Sequence, residues 1–171
     1  LTDPITVPVT EPQAPAATVI VASTRAAAGE REDTTGPHIA SWLGERGFDV
    51  YGPVVVPDGE EVGSAIRSAT RRGDAVILTT GGTGLTPTDR TPEETRGVLT
   101  FEVPGLADAI RAAGLPGAPT AILSRGLAGV SGATLVVNLP GSMGGVRDGL
   151  GVLDGVLSHA LDQIIGGDHA W

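Results

Sequence analysis

The sequence predicts an α/β fold with a mainly parallel sheet and helices on both faces. Three observations carry that expectation. Short apolar runs alternate with segments of helical period after residue 18, the pattern of strand–helix–strand units joined by right-handed crossovers. The runs 18–23 and 134–139 are mostly apolar at successive positions, as strands buried on both faces are. The run 76–80 ends in Gly81-Gly82-Thr83-Gly84 and leads through a polar turn to a helix start near Thr91-Pro92. Glycines there let backbone N–H groups approach an anion, and a helix N-terminus adds positive potential.

The elements follow in order. Residues 1–17 carry Pro4, Pro8, Pro12 and Pro15, a density that blocks helix and ladder alike. They read as a flexible, Pro-rich tail ahead of a single domain over 18–171. After the strand 18–23, a loop over 24–32 leads to a helix at 36–46. Ile39, Trp42 and Leu43 keep helical spacing there, and Gly47 is the stop. Asp33 reads as a capping or turn residue and His38 as a surface residue. Residues 50–56 form the next strand, and Pro53 inside it marks an edge or a bulge. A helix then runs to about residue 72 with Val62, Ala65, Ile66 and Ala69 on one face. Asp58 is placed to cap it.

The strand 74–80 precedes the Gly loop. Thr91 reads as an N-cap, Pro92 as the first helical residue and Glu94 as the return partner of a capping box. That helix is expected over 92–99. Val103-Pro104-Gly105 separates it from a helix at 106–113, ended by Gly114. Residues 120–125 read as extended and 126–132 as a glycine-rich turn. The strand 134–139, a turn at Pro140-Gly141-Ser142 and a short stretch at 146–150 lead to a last helix over 153–165. Leu153, Val156, Leu157, Ala160, Leu161 and Ile164 form its stripe, read as an exposed face open to an oligomer.

Composition removes several functions. Twenty acidic residues against eleven basic ones give a net charge of −9, and no basic run exceeds Arg71-Arg72. A non-specific nucleic-acid binder needs a basic face, so no nucleic-acid partner is expected. Two Trp, one Tyr and two Phe are too few and too scattered for a single-strand stacking platform. The absence of cysteine excludes disulfides, thiolate catalysis and Cys-ligated metals. No apolar run approaches the ~18 residues of a membrane span, and no signal peptide is evident. The expectation is a cytoplasmic protein without membrane contact.

Three loops have ligand-type composition: 81–90, 124–132 and 140–145. The first and third each lead into a helix N-terminus, so one sheet edge could hold two phosphorylated groups. No Gly-Lys-Ser/Thr is present, and Pro87 takes the place of the last glycine of a dinucleotide fingerprint. Both common nucleotide motifs are thereby excluded. Asp58 and Asp89 share the carboxyl end of the sheet, where paired carboxylates could hold Mg²⁺ against phosphates. On position alone, capping outweighs that role for Asp58. Arg25, Arg90, Arg125 and Arg147 are the candidate anion partners. Ser131 and Ser142 read as phosphate or turn hydroxyls, since no nucleophile elbow occurs.

Thr79-Thr80-Gly81-Gly82-Thr83-Gly84, Pro87, Asp89 and Thr91-Pro92-Glu93 are followed by Pro104-Gly105, Leu123-Ser124-Arg125-Gly126 and Asn138-Leu139-Pro140-Gly141-Ser142. This ordered set strongly resembles the molybdopterin-binding (Mog/MoaB-type) proteins of molybdenum cofactor synthesis, over roughly 18–168. The resemblance implies a three-layer α/β sandwich assembled as a homotrimer. It implies transfer of AMP from Mg-ATP to molybdopterin with release of pyrophosphate. Asp58 and Asp89 match the functional aspartates and the Mg²⁺ ligands. Thr80, Gly81, Gly82, Thr83, Gly84, Ser124, Arg125, Pro140, Gly141 and Ser142 match the positions that bind molybdopterin and ATP. Other enzymes of the cofactor pathway are implied partners. Thr24 and Arg90 stand where the family often has aspartate and an aliphatic residue. These departures frame the alternatives: a molybdopterin carrier without catalysis, or a nucleotide-processing enzyme on a related domain.

Overall fold

The computed structural model describes residues 12–167. The tail expectation for residues 1–11, and His169, lie outside the described residues. Strands β1 (Ala16–Ala22), β2 (Asp49–Val56), β3 (Val76–Thr80), β4 (Phe101–Glu102), β5 (Ala128–Ser131) and β6 (Thr134–Leu139) form one sheet. Their order is β2-β1-β3-β6-β5-β4. The first four in that order are mutually parallel, while β5 runs antiparallel to β6 and β4 antiparallel to β5. The expected mainly parallel sheet is present, with an antiparallel hairpin at one edge.

Seven helical segments accompany it: α1 (Thr24–Ala27), α2 (Thr35–Glu45), α3 (Glu60–Arg72), α4 (Thr91–Arg96), α5 (Pro104–Gly114), α6 (Met143–Asp154) and α7 (Leu157–Ile164). Alternate residues of each central strand feed opposite cores, as the two-residue period of a strand requires. Val19, Leu78, Val137 and Leu139 meet Ile39 and Leu43 of α2, Ile110 of α5, Leu150 and Leu153 of α6 and Leu157 of α7. On the other face Ile20, Ile77 and Val136 meet Val62, Ile66 and Ala69 of α3. Three layers result, and the carboxyl ends of β1, β3 and β6 share one edge. At that edge, a Cβ on Gly81 (φ +89) would lie 2.4 Å from Ala22 O, and one on Gly141 would lie 3.3 Å from Gly81 Cα. Glycine is required where these chain ends close on each other.

Several expectations are corrected. β1 starts at Ala16 rather than 18, and the loop after it contains the one-turn α1, capped by Ser23 Oγ accepting from the Ala26 N–H. Asp58 does not cap α3: Gly59 is the N-cap, at φ 120. Thr91 is not a cap either. Arg90 is the N-cap of α4 with no side-chain bond, so the capping box does not form, and the helix ends at Arg96. Residues 119–123 are a 3₁₀ helix rather than extended. The glycine-rich stretch 126–132 contains β5, paired with β4, a strand not expected at all. The break between the last two helices falls after Asp154, and α6 begins at Met143. The stripe of α7 is largely used internally, since Ala160, Leu161 and Ile164 pack on the core. Pro53 does mark an edge: β2 is the outer strand and has an irregular register between Thr18 and Ile20 of its partner.

Candidate active site

Loop 81–90 leaves β3 and divides two clefts at the carboxyl edge of the sheet. The first, of about 470 Å³, is lined by Thr80, Gly81, Gly82, Asp58, Asp89 and Gly141, with Thr24, Arg25 and Arg31 across from them. The second, of about 550 Å³, is lined by Thr83, Gly84, Ser124, Pro140, Ser142 and Gly145, with Arg111 and Asp148. Each of the expected site residues except Arg125 therefore faces one cleft or the other. Arg90 and Arg147 line neither; Arg90 lies 3.6 Å from Glu94 on the helix surface.

Asp58 sits just past β2, beside the start of α1. Its N–H donates to Thr24 Oγ1 at 3.2 Å, and Thr24 Oγ1 donates to Asp58 Oδ2 at 3.4 Å. Oδ1 is buried and has no partner among the described residues. Burial pushes the Asp58 carboxyl above its ordinary range, and the Thr24 N–H···O contact opposes this while the charge of Asp89 adds to it. Asp89 closes a turn, with its N–H donating to Thr86 O at 2.9 Å and its Oδ2 accepting from the Thr86 N–H at 3.3 Å. Two carboxylates thus line one cleft, and the charge of Asp89 adds to the cost of ionising Asp58.

Arg125 lines neither cleft and braces the loop. Its Nε donates to Gly84 O at 2.8 Å and its Nη2 to Asp89 O at 2.8 Å, while Nη1 pairs with Glu93. Its N–H donates to Thr83 O at 2.8 Å. This fork spans both ends of the loop that carries Asp89, a use suited to the planar guanidinium. The Arg125 hydrogen bond holds the Glu93 carboxyl below its ordinary range, against partial burial.

The second cleft has its own anchor. Ser142 caps the 12-residue α6, its Oγ accepting from the Gly145 N–H at 3.1 Å. The positive end of that helix faces the cleft. Thr80 Oγ1 donates to Pro140 O at 2.7 Å, fixing the loop after β6 to the end of β3. Ser124 Oγ accepts from the Gly126 N–H at 3.3 Å, so it shapes its own turn. Ser131 donates to Val98 O at 2.7 Å and lies away from both clefts. Asp33 Oδ1 accepts from the Gly36 N–H at 2.9 Å, the capping role expected of it, while lining the first cleft.

Sequence reasoning missed three contributors. Thr24 holds Asp58, and Asn138 is a buried hub. Its Nδ2 donates to Thr79 Oγ1 and Thr95 Oγ1 at 2.9 Å each, and its Oδ1 accepts from the Leu127 N–H at 3.0 Å. Thr91 is buried with an unpartnered hydroxyl. A polar residue inside an otherwise apolar run was the available signal for Asn138; Thr24 and Thr91 stood out only by their place against the family pattern, which did not show these contacts. Among the described residues no group of three or more metal-ligating side chains occurs, and no helix is long and apolar enough to cross a membrane.

The chain is 40% identical over 154 residues to a molybdenum cofactor biosynthesis bifunctional protein of Synechococcus elongatus, covering 90% of this chain and 48% of that protein. It thus spans about half the length of that relative. It is 35% identical to the molybdopterin adenylyltransferase of Pyrococcus furiosus, covering 84% of this chain and 87% of that one. The structure of the molybdopterin biosynthesis Mog protein from Mycobacterium ulcerans superposes with a TM-score of 0.84 at 58% identity, covering 88% of this chain and 99% of the other. Residues 18–159 match the family described as "Probable molybdopterin binding domain", and the chain belongs to that molybdopterin-binding, Mog/MoaB-like family.

Proposed function

We infer that this protein acts in molybdenum cofactor biosynthesis as a molybdopterin adenylyltransferase, joining AMP from ATP to the terminal phosphate of molybdopterin and releasing pyrophosphate. The observation that carries this reading is that Asp58 and Asp89 line one cleft, with the loop that carries Asp89 separating it from a second, helix-capped cleft. Two adjoining clefts suit two phosphorylated substrates that must meet. The similarity to a named molybdopterin adenylyltransferase supports the reaction class.

The first cleft is lined by Arg25 and Arg31 against Glu32, Asp33, Asp58 and Asp89. A triphosphate entering it meets an excess of carboxylates and needs a cation for charge balance. The unpartnered Asp58 Oδ1 and the mutual repulsion of Asp58 and Asp89 fit Mg²⁺, which takes one or two carboxylates and keeps waters and phosphate oxygens as its other ligands. Asp58 and Asp89 would hold it, and it would supply neutralisation of the ATP phosphates and of the pyrophosphate leaving group.

The chain's own residues do the positioning. The backbone N–H groups of Gly81 and Gly82, which line the first cleft, would face the phosphates. The N-terminus of α6, behind Ser142, attracts the phosphate of molybdopterin on the other side. Arg125 keeps the loop between them fixed, so the phosphate oxygen that attacks and the α-phosphorus it attacks are held in line. The new P–O bond forms as the bond to pyrophosphate breaks. Little covalent work is asked of the protein; orientation and electrostatics carry the rate. Purified protein given molybdopterin and Mg-ATP should release pyrophosphate, and Asp89→Asn should keep the fold while losing that release. Pyrophosphate release by Asp89→Asn at the parent rate would remove Asp89 from the mechanism. Tight molybdopterin binding without pyrophosphate from the parent protein would make it a carrier.

A further inference from the structure

Two buried oxygens without a hydrogen-bond partner converge on one glycine. A Cβ on Gly82 would lie 2.5 Å from Asp58 Oδ1 and 2.3 Å from Thr91 Oγ1, and both atoms are unpartnered among the described residues. Thr91 has no solvent exposure. Its N–H donates to Gly82 O at 3.1 Å, which pins the residue beside the loop. The hydroxyl does not cap α4, whose N-cap is Arg90. A buried hydroxyl with no partner destabilises a fold, and valine has nearly the same shape without that cost. Neither packing nor capping therefore accounts for a threonine here. Position does: Thr91 Oγ1 and Asp58 Oδ1 flank the same point beside Gly82, and the other oxygen of that carboxylate is already held by Thr24.

We propose that Thr91 is a positioning residue for Asp58, its hydroxyl donating to Oδ1 across the slot that Gly82 leaves open. The bond forms as the carboxylate turns about its Cβ–Cγ bond. Asp58 is then bracketed by two threonines, one from the start of α1 and one from the start of α4, and keeps a single orientation in the first cleft. The inference rests on the reading of Asp58 as a working residue of that cleft.

The test compares Thr91→Val and Thr91→Ser in the full chain. The readouts are the side-chain carboxyl ¹³C resonance of Asp58, assigned with Asp58→Asn, the melting temperature, and AMP transfer. In Thr91→Val the Asp58 resonance should move, the melting temperature should fall as Oδ1 loses its donor, and kcat should fall about tenfold with KM for ATP little changed. Thr91→Ser should match the parent in all three. An unmoved Asp58 resonance in Thr91→Val overturns the proposal, and so does an equal or higher melting temperature, which would mean that the hydroxyl has no partner. Equal behaviour of the two variants also overturns it. If the parent transfers no AMP, the functional reading fails while the resonance and the melting temperature still decide Thr91.

Discussion

Asp58 shows how one side chain can work against the fold that carries it. Its carboxyl is pushed up chiefly by burial, so the folded state binds its proton more tightly than the unfolded chain does. The sign follows from linkage: the folded state is favoured below the ordinary aspartate value near 3.8, and that advantage is lost as pH rises through the elevated value. Asp58→Asn removes the buried charge and should raise the melting temperature at neutral pH while eliminating AMP transfer. The gap between variant and parent should widen from pH 4 to the elevated value and then stay constant, as melting curves across that range would show. Glu93 has the opposite sign. Its lowered carboxyl contributes stability that is present above the ordinary glutamate range and lost as pH falls through the folded value. Glu93→Gln should loosen the Arg125 brace, lowering kcat more than overall stability; parallel activity and melting measurements separate the two.

At the scale of elements, the hairpin β4–β5 was the part least legible in the sequence. Glycines in 126–132 suggested a turn, yet they serve strand pairing. A Cβ on Gly129 would lie 2.5 Å from Phe101 O, so the glycine permits close approach of a neighbouring strand rather than a bend. Nothing within the segment reveals a partner about 27 residues away, because strand formation depends on who lies alongside. The caps of α3 and α4 were misread for a related reason. Asp58 and Thr91 have the right residue types for capping, but both side chains lie against Gly82 instead, where the tertiary arrangement outranks local preference. Asn138 links β6 to β3, to α4 and to the segment entering β5. Asn138→Ala should cost about 1–3 kcal/mol through the polar groups left unpaired, measured by urea denaturation, and should loosen the hairpin first in amide exchange.

The whole molecule separates its chemistry from its anchorage. The carboxyl edge of the sheet holds both clefts. The opposite edge is tied by Asp74, which is 1% exposed and accepts from Arg72 Nε at 3.0 Å and Nη2 at 2.8 Å. The Arg72 guanidinium also lies 4.1 Å from the Tyr51 ring centroid, so α3, β2 and β3 are bound at one point. Arg72→Ala leaves a buried carboxylate unpaired and should destabilise the fold by about 2–3 kcal/mol. That is below the cost for a fully buried pair because Arg72 keeps 36% of its side chain in solvent; the check is a urea midpoint shift with activity retained in the remaining folded protein. Assembly is the other question at this scale. Phe101, Ile122 and Leu123 are 56%, 61% and 47% exposed, and sedimentation equilibrium of the parent tests whether this apolar surface joins copies of the chain.

The sequence by itself determined the strand–helix alternation, the parallel centre of the sheet and the sheet edge that carries the ligand-type loops. Those features follow from hydrophobic period and from glycine and proline, which act locally. Tertiary structure decided what each polar residue does. Arg125 reaches partners 32 to 41 residues away, and Thr91 and Asp58 come to the same glycine, Gly82, from distant parts of the chain. Hydrogen bonds act over about 3 Å, so a polar side chain's role is set by whatever the fold brings within that distance.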